Sequence, residues 1–156
     1  MAIYLVLALL IGAICGLRSL TAPAVVCWAA HFGWVHLEGS HLEFLHNQIV
    51  LIVFTVLAVG ELIADKLPFI PSRTTPGPLA ARVLLGSLSA AALIVSVGGS
   101  SVVGAIVGAI GALTGTFGGY NARHYLVTKS GAPDLLIALA EDAIAVGGGF
   151  LIVSRF

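Results

Sequence analysis

The chain has 156 residues, 59% of them hydrophobic and 9% charged, with seven basic and seven acidic side chains and a mean hydropathy of +1.10. Soluble domains carry about 25% charged residues, so this composition argues against a soluble fold, and a formal net charge of zero offers nucleic acid no basic patch. A single all-α transmembrane domain over residues 1–156 remains: a polytopic helical membrane protein with about five transmembrane helices plus one short interfacial or re-entrant helix.

The first apolar run predicts a span from Ala2 to Leu20. It lacks the basic start and A-x-A site of a cleaved signal peptide and is expected to be retained. Gly12 and Gly16 form a GxxxG pair, and the run ends in Arg18 and Ser19. Pro23 suits the first turn of a new helix. Ala24 to Val35 is too short to span, and Trp28 and Trp34 favour a membrane interface. This helix is therefore expected to be re-entrant or to lie flat on the membrane.

Leu37 to Asn47 reads as a polar connector. His36, His41 and His46, with Glu38 and Glu43, are metal-ligand residue types. Spacing by five does not stack them on one helical face, so a solvated connector is the expectation and no metal site is predicted. A second span runs from Asn47 to Lys66. Pro68, Pro71, Pro76 and Pro78 then exclude helix until Leu79. A third span covers Leu79 to Val97, and Gly98 to Ser101 turns the chain. The fourth, Val102 to Ala122, carries glycines at 104, 108, 111, 115, 118 and 119, a face for close backbone approach. Arg123 to Pro133 reads as a short basic loop before a fifth span, Asp134 to Val153.

Lys66, Arg73 and Arg82 flank one loop, and Arg123 and Lys129 lie in another. Placing both loops inside gives a multi-pass protein of the inner (plasma) membrane, with its N-terminus cytoplasmic and its C-terminus outside. Arg18 then falls on the outer side. Gly12–Gly16 resembles Gly111–Gly115, and Leu57–Glu61 resembles Ile137–Glu141. Spans 1–2 would thus repeat as spans 4–5, inverted by the odd helix between them, as in transporter folds.

Four phrases carry a wider likeness: Gly16-Leu-Arg-Ser-Leu-Thr-Ala-Pro23, Gly60-Glu-Leu-Ile-Ala-Asp-Lys-Leu-Pro68, Pro71-Ser-Arg-Thr-Thr-Pro-Gly-Pro78 and Gly115-Thr-Phe-Gly-Gly-Tyr120. Over most of its length the chain resembles a family of small bacterial integral membrane proteins catalogued as a domain of unknown function. The resemblance implies a membrane protein. It brings no catalytic residue, substrate or cofactor.

Acids inside a span are costly and must face protein or water. Glu61 and Asp65, four residues apart, share one helical face. Glu141 and Asp142 lie within two turns of a helix start, where the macrodipole also favours them. Each is a candidate for a polar cavity, or else a structural ion-pair partner. Arg18, Tyr120 and Asn121 are further candidates for the cavity. Arg73 and Arg82, with the hydroxyls of Ser72 and Thr74, form a candidate anion site; the plainer reading, which leads for Arg123 at the same level, is topology-setting charge with salt bridges to Glu61 and Asp142. No Walker loop, HExxH or Ser-His-Asp set is present, so no cofactor and no catalytic residue are predicted.

The expectation is a small transporter or channel for a small polar or anionic solute, with Glu61 and Glu141 as a titratable pair able to link it to protons. Its partners are the lipid bilayer, the solute or ion, and a second copy in a homodimer. Two alternatives stay open: a membrane enzyme acting on a lipid or phosphorylated headgroup, and a structural subunit of a membrane complex.

Overall fold

The computed structural model of the chain describes residues 1–67 and 71–156. Among these residues it is all-α: α1 (Ala2–Leu17), α2 (Thr21–His31), α3 (Gln48–Ala64), α4 (Pro76–Ser96), α5 (Ser101–Lys129) and α6 (Asp134–Val153), with a 3-10 turn at Glu43–His46 before α3. α4, α5 and α6 are long and apolar enough to cross a membrane, and α1 and α3 are shorter apolar helices. Pro68, the first of the four prolines expected to break the chain, lies outside the described residues.

Two boundaries differ from expectation. α4 begins at Pro76, not Leu79. First-turn amides have no intrahelical partner, so Pro76 and Pro78 cost nothing there. α5 does not stop at Ala122 but runs on to Lys129, because neither glycine nor proline occurs between Tyr120 and Ser130. The expected basic loop is largely its last two turns. At 29 residues, α5 is about 43 Å long, against about 30 Å of hydrocarbon in a bilayer.

The centre of the bundle is a seam of α1, α4 and α5. Gly12 and Gly108 meet so closely that a Cβ on either would strike backbone, and Gly16 rests on Ala112 and Thr116. Because later positions in α1 meet later positions in α5, these helices run parallel. α4 runs against both: Gly86 abuts Gly108 and Ala112, while Gly104 abuts Ala90 and Ala91. Gly98, with φ of +77°, takes the left-handed conformation that the tight α4–α5 turn requires.

α2 is packed inside the bundle and does not lie on its surface. Nine of its eleven residues, Thr21 to Cys27 with Ala29 and Ala30, are buried. Its small side chains let α3 and α6 close around it: Trp28 Nε1 donates to Thr55 Oγ1 at 3.1 Å, and Val25 faces Gly149. Only its C-terminal end reaches an aromatic cluster of Trp28, His31, Phe32 and Trp34. α2 carries the chain back towards the end from which α1 came, and so reverses everything after it.

That reversal corrects three expectations. Tyr4 packs on Phe156, ring centroids 5.1 Å apart, so both termini lie at one end of the bundle and not on opposite faces. Arg18 lies at the other end, beside Asp65 and Asp142, together with the basic residues it was expected to oppose. An inverted repeat of spans 1–2 in spans 4–5 needs α1 and α5 to run in opposite directions, and they run parallel.

Candidate functional site: a charged cluster at one end of the bundle

The site begins where α1 ends and α2 starts. α1 presents carbonyls there, a negative pole, and α2 presents free amides, a positive one. Each pole meets a charge of opposite sign from a distant helix. Arg82 of α4 donates from Nη1 to the carbonyls of Gly16 at 2.6 Å and Leu17 at 3.0 Å. Glu61 of α3 accepts from the amides of Ser19 and Leu20, both at 2.8 Å, and from the Ser19 hydroxyl at 2.6 Å. Glu61 is thus the N-terminal cap of α2. Its nearest cation is Arg82, with Nη2 3.9 Å away.

Arg18, in the turn between α1 and α2, has no exposed surface. Its Nε donates to Asp142 Oδ1 at 2.7 Å, and its Nη2 lies 2.8 Å from Asp65 Oδ2 and 3.7 Å from Glu141 Oε2. Lys66 closes on the other oxygen of Asp142 at 2.6 Å. Arg73, from the loop before α4, makes a two-point pair with Glu141 at 3.2 and 3.0 Å. Arg123 of α5 makes a second two-point pair with Asp134, both contacts at 2.8 Å. It also reaches Asp65 at 3.1 Å and Glu141 at 3.4 Å. Five of the seven acids and five of the seven bases therefore meet at this end. Four of them, Arg18, Arg73, Arg82 and Glu141, are buried, and buried charges persist only when paired or hydrogen-bonded in this way.

A cavity of about 420 Å³ opens at this end, lined by Asp65, Leu67, Pro71, Ser72, Arg73, Arg82, Tyr120, Arg123 and Asp134. A smaller recess of about 220 Å³ continues from it along α5, past His124 and Thr128. The Tyr120 and His124 rings stack there, 6.3 Å between centroids. Of the sequence candidates, Asp65, Arg73, Arg82, Ser72 and Tyr120 line the cavity. Glu141, Asp142 and Arg18 stand behind its wall in the ion-pair network, and Glu61 holds α2. Asn121 is exposed on α5 and does not line the cavity. Thr74 shares a hydrogen bond of 2.9 Å with Ser72, but its surroundings are the apolar groove of Pro76, Leu79 and Leu113.

A separate apolar groove of about 530 Å³ runs between α1, α5 and α6, lined by Leu10, Leu17, Gly115, Gly119, Gly148 and Leu151 among others. Gly119, which lines this groove, lies beside the ion-pair network. A Cβ there would strike Leu17 Cδ2 first and would lie 3.1 Å from Arg73 Nη1 and 3.7 Å from Glu141 Oε1.

Sequence reasoning did not place Arg123, Asp134, Lys66 or Ser19 in the site. For Arg123 and Asp134 a usable signal exists: with no breaker after Tyr120, α5 carries Arg123 on a helical face towards the first residue of α6. Among the described residues, no three His, Cys, Asp or Glu side chains converge as metal ligands. Cys15 and Cys27 are buried free thiols.

No curated protein and no solved structure matches the chain. The chain belongs to the family described as Domain of unknown function (DUF4126), whose family model matches residues 5–154.

Proposed function

We propose that this protein is a small membrane carrier that binds a small anionic solute in the cavity at its charged end. One observation carries the reading: three guanidinium groups, those of Arg73, Arg82 and Arg123, line a single cavity at the end of an otherwise apolar bundle. The volume falls in the range of small-molecule sites. A carrier is favoured over an open channel because the backbone-to-backbone packing of Gly12 with Gly108 and Gly16 with Ala112 fills the bundle axis beyond the cavity. The site suits binding better than bond-breaking: Asp65 and Asp134 are engaged by Arg123, and the Ser72 hydroxyl by Thr74.

The same geometry supports a topology. Six helices alternate in direction, which makes six passes with α2 short, in place of the five first expected. Six of the seven basic residues, all but Arg155, belong to the charged end. The positive-inside rule then makes that end cytoplasmic and leaves both termini outside.

Purified protein in proteoliposomes is expected to give saturable uptake of a small organic anion, with empty liposomes as the reference. Flux no greater than that of empty liposomes, for every anion that binds the protein, overturns the carrier reading.

A second reading has its own support. The groove between α1, α5 and α6 meets the Arg73–Glu141 pair at Gly119, an arrangement suited to an acyl chain beneath a charged headgroup. In that case a phospholipid is the bound species, and it remains on the protein through gentle detergent extraction.

A further inference from the structure

We infer that Arg82 is the residue that recognises the solute, and that the solute is an oxyanion carrying a single negative charge: a carboxylate or a phosphodiester. This rests on the carrier reading and adds the ligand class and its principal contact.

The guanidinium groups of the cluster are not equivalent. Arg73 and Arg123 each present two nitrogens to one carboxylate, Glu141 and Asp134 respectively. Arg18 lies among Asp65, Glu141 and Asp142. Arg82 uses only Nη1, on the carbonyls at the end of α1. Its Nε has no hydrogen-bond partner among the described residues. Its Nη2 has only Glu61, at 3.9 Å, beyond hydrogen-bond range. Glu61 is not free to close that gap, because both its oxygens are held by Ser19 and Leu20.

Nε and Nη2 form one edge of the guanidinium, the edge whose two parallel N–H bonds match two oxygens on one carbon or phosphorus. Arg82 is only 7% exposed, and a buried donor without a partner is unfavourable until a ligand supplies one. Arg82 also lines the cavity, with the Ser72 hydroxyl in the same wall. The engagement of the wall sets the valence. Arg73 and Arg123 are each held two-point by a carboxylate, so Arg82 offers the cavity one unengaged guanidinium edge, which one two-oxygen group of single charge fills. A second negative charge on the ligand would find no unengaged guanidinium and would face the carboxylates of Asp65 and Asp134 in the same wall.

The test uses the full chain in detergent at fixed ionic strength, with acetate, dimethyl phosphate, sulfate and tetramethylammonium as probes. Calorimetry and thermal unfolding are the readouts. Acetate and dimethyl phosphate are expected to bind and raise Tm, sulfate to bind at least tenfold more weakly, and tetramethylammonium to leave Tm unchanged. Arg82→Gln is expected to weaken acetate binding on the order of tenfold or more, with Arg82→Lys between it and the wild type. Should Arg82→Gln fail to fold, the probe ranking in the wild type and a several-fold loss in Ser72→Ala decide the matter. Sulfate binding as tightly as acetate, no binding by either monoanion, or full acetate affinity in a folded Arg82→Gln overturns the inference.

Vesicles containing phosphatidylglycerol separate the two sources of the ligand. Lipid that competes with dimethyl phosphate, and is lost in Arg82→Gln, identifies a headgroup; its failure to compete identifies a free solute. Binding without flux in proteoliposomes sinks the carrier reading and leaves the site standing. Flux indifferent to Arg82→Gln sinks the site and leaves the carrier.

Discussion

Arg73 and Glu141 hold each other through two parallel contacts, at 3.2 and 3.0 Å, and so tie the loop before α4 to α6. Both residues are buried; Lys66, earlier in the same loop, makes a second and more exposed tie to α6 through Asp142. Removing one partner leaves an uncompensated buried charge, which costs about 3–5 kcal/mol, whereas replacing a whole buried pair by apolar groups is often near neutral. Glu141→Gln is therefore expected to be strongly destabilising in thermal unfolding. The double variant Arg73→Met/Glu141→Met should recover most of that loss. A double variant as unstable as the sum of the single ones would mean that the pair does not act as a unit.

Glu61 has a different task. Its carboxylate caps α2, and loss of a cap costs about 1 kcal/mol. Glu61→Gln is expected to lower Tm modestly. It also removes the carboxylate nearest to Arg82, so acetate should bind several-fold more tightly. Weaker acetate binding in a folded Glu61→Gln would show that Glu61 supports the anion site and does not compete with it.

The glycine seam makes a sharp contrast between neighbours on one helix. A Cβ at Gly108 meets the Gly86 carbonyl and Ala90, while one at Gly118 meets nothing within 4 Å. Gly108→Ala is expected to cut the yield of folded protein heavily or cost at least 1–3 kcal/mol, about the usual range for overpacking. Gly118→Ala should be neutral or slightly stabilising, since alanine favours helix by about 1 kcal/mol over glycine. Equal tolerance at the two positions, measured by size-exclusion profile and Tm, would contradict the seam.

Topology can be read by labelling. Cys15 and Cys27 are buried, so the background with a membrane-impermeant maleimide is low. Ala2→Cys and Phe156→Cys should be labelled from the same side of the membrane, and Ser130→Cys from the other. Labelling of the two terminal cysteines from opposite sides would restore an odd number of crossings.

Much of this was legible from apolar runs and turn residues. α3 and α6 begin and end within two residues of the spans read from sequence. Arg18, Asp65, Glu141 and Asp142, singled out as costly charges beside apolar runs, do meet in one network. The direction of the chain was not legible. Eleven residues of Thr, Ala, Pro, Val, Cys, Trp and His look too short and too mixed to cross a bilayer. Only tertiary packing, with small side chains admitting α3 and α6, turns that stretch into an interior helix. From this one element follow the misplacement of Arg18, the expected separation of the termini and the supposed inversion. Arg123 was read as topology-setting charge in a loop for a local reason: a run of polar residues reads as loop although nothing in it breaks a helix.

The seam also bears on which parts of the bundle the proposed carrier reading would set in motion. Where backbone lies on backbone there is no side chain to change rotamer and no slack to take up, so α1, α4 and α5 behave as a fixed stator. α6 is joined differently. It packs on Ile14 of α1 and Val25 of α2 through Gly148 and Gly149, faces α5 across the groove, and is tied at its charged end by the pairs of Glu141 and Asp142 with Arg73, Arg18, Arg123 and Lys66. Ion pairs can exchange partners at small net cost, while packed glycines cannot. Alternating exposure of the cavity would therefore be a swing of α6 against an immobile core, with its carboxylates as the bearing.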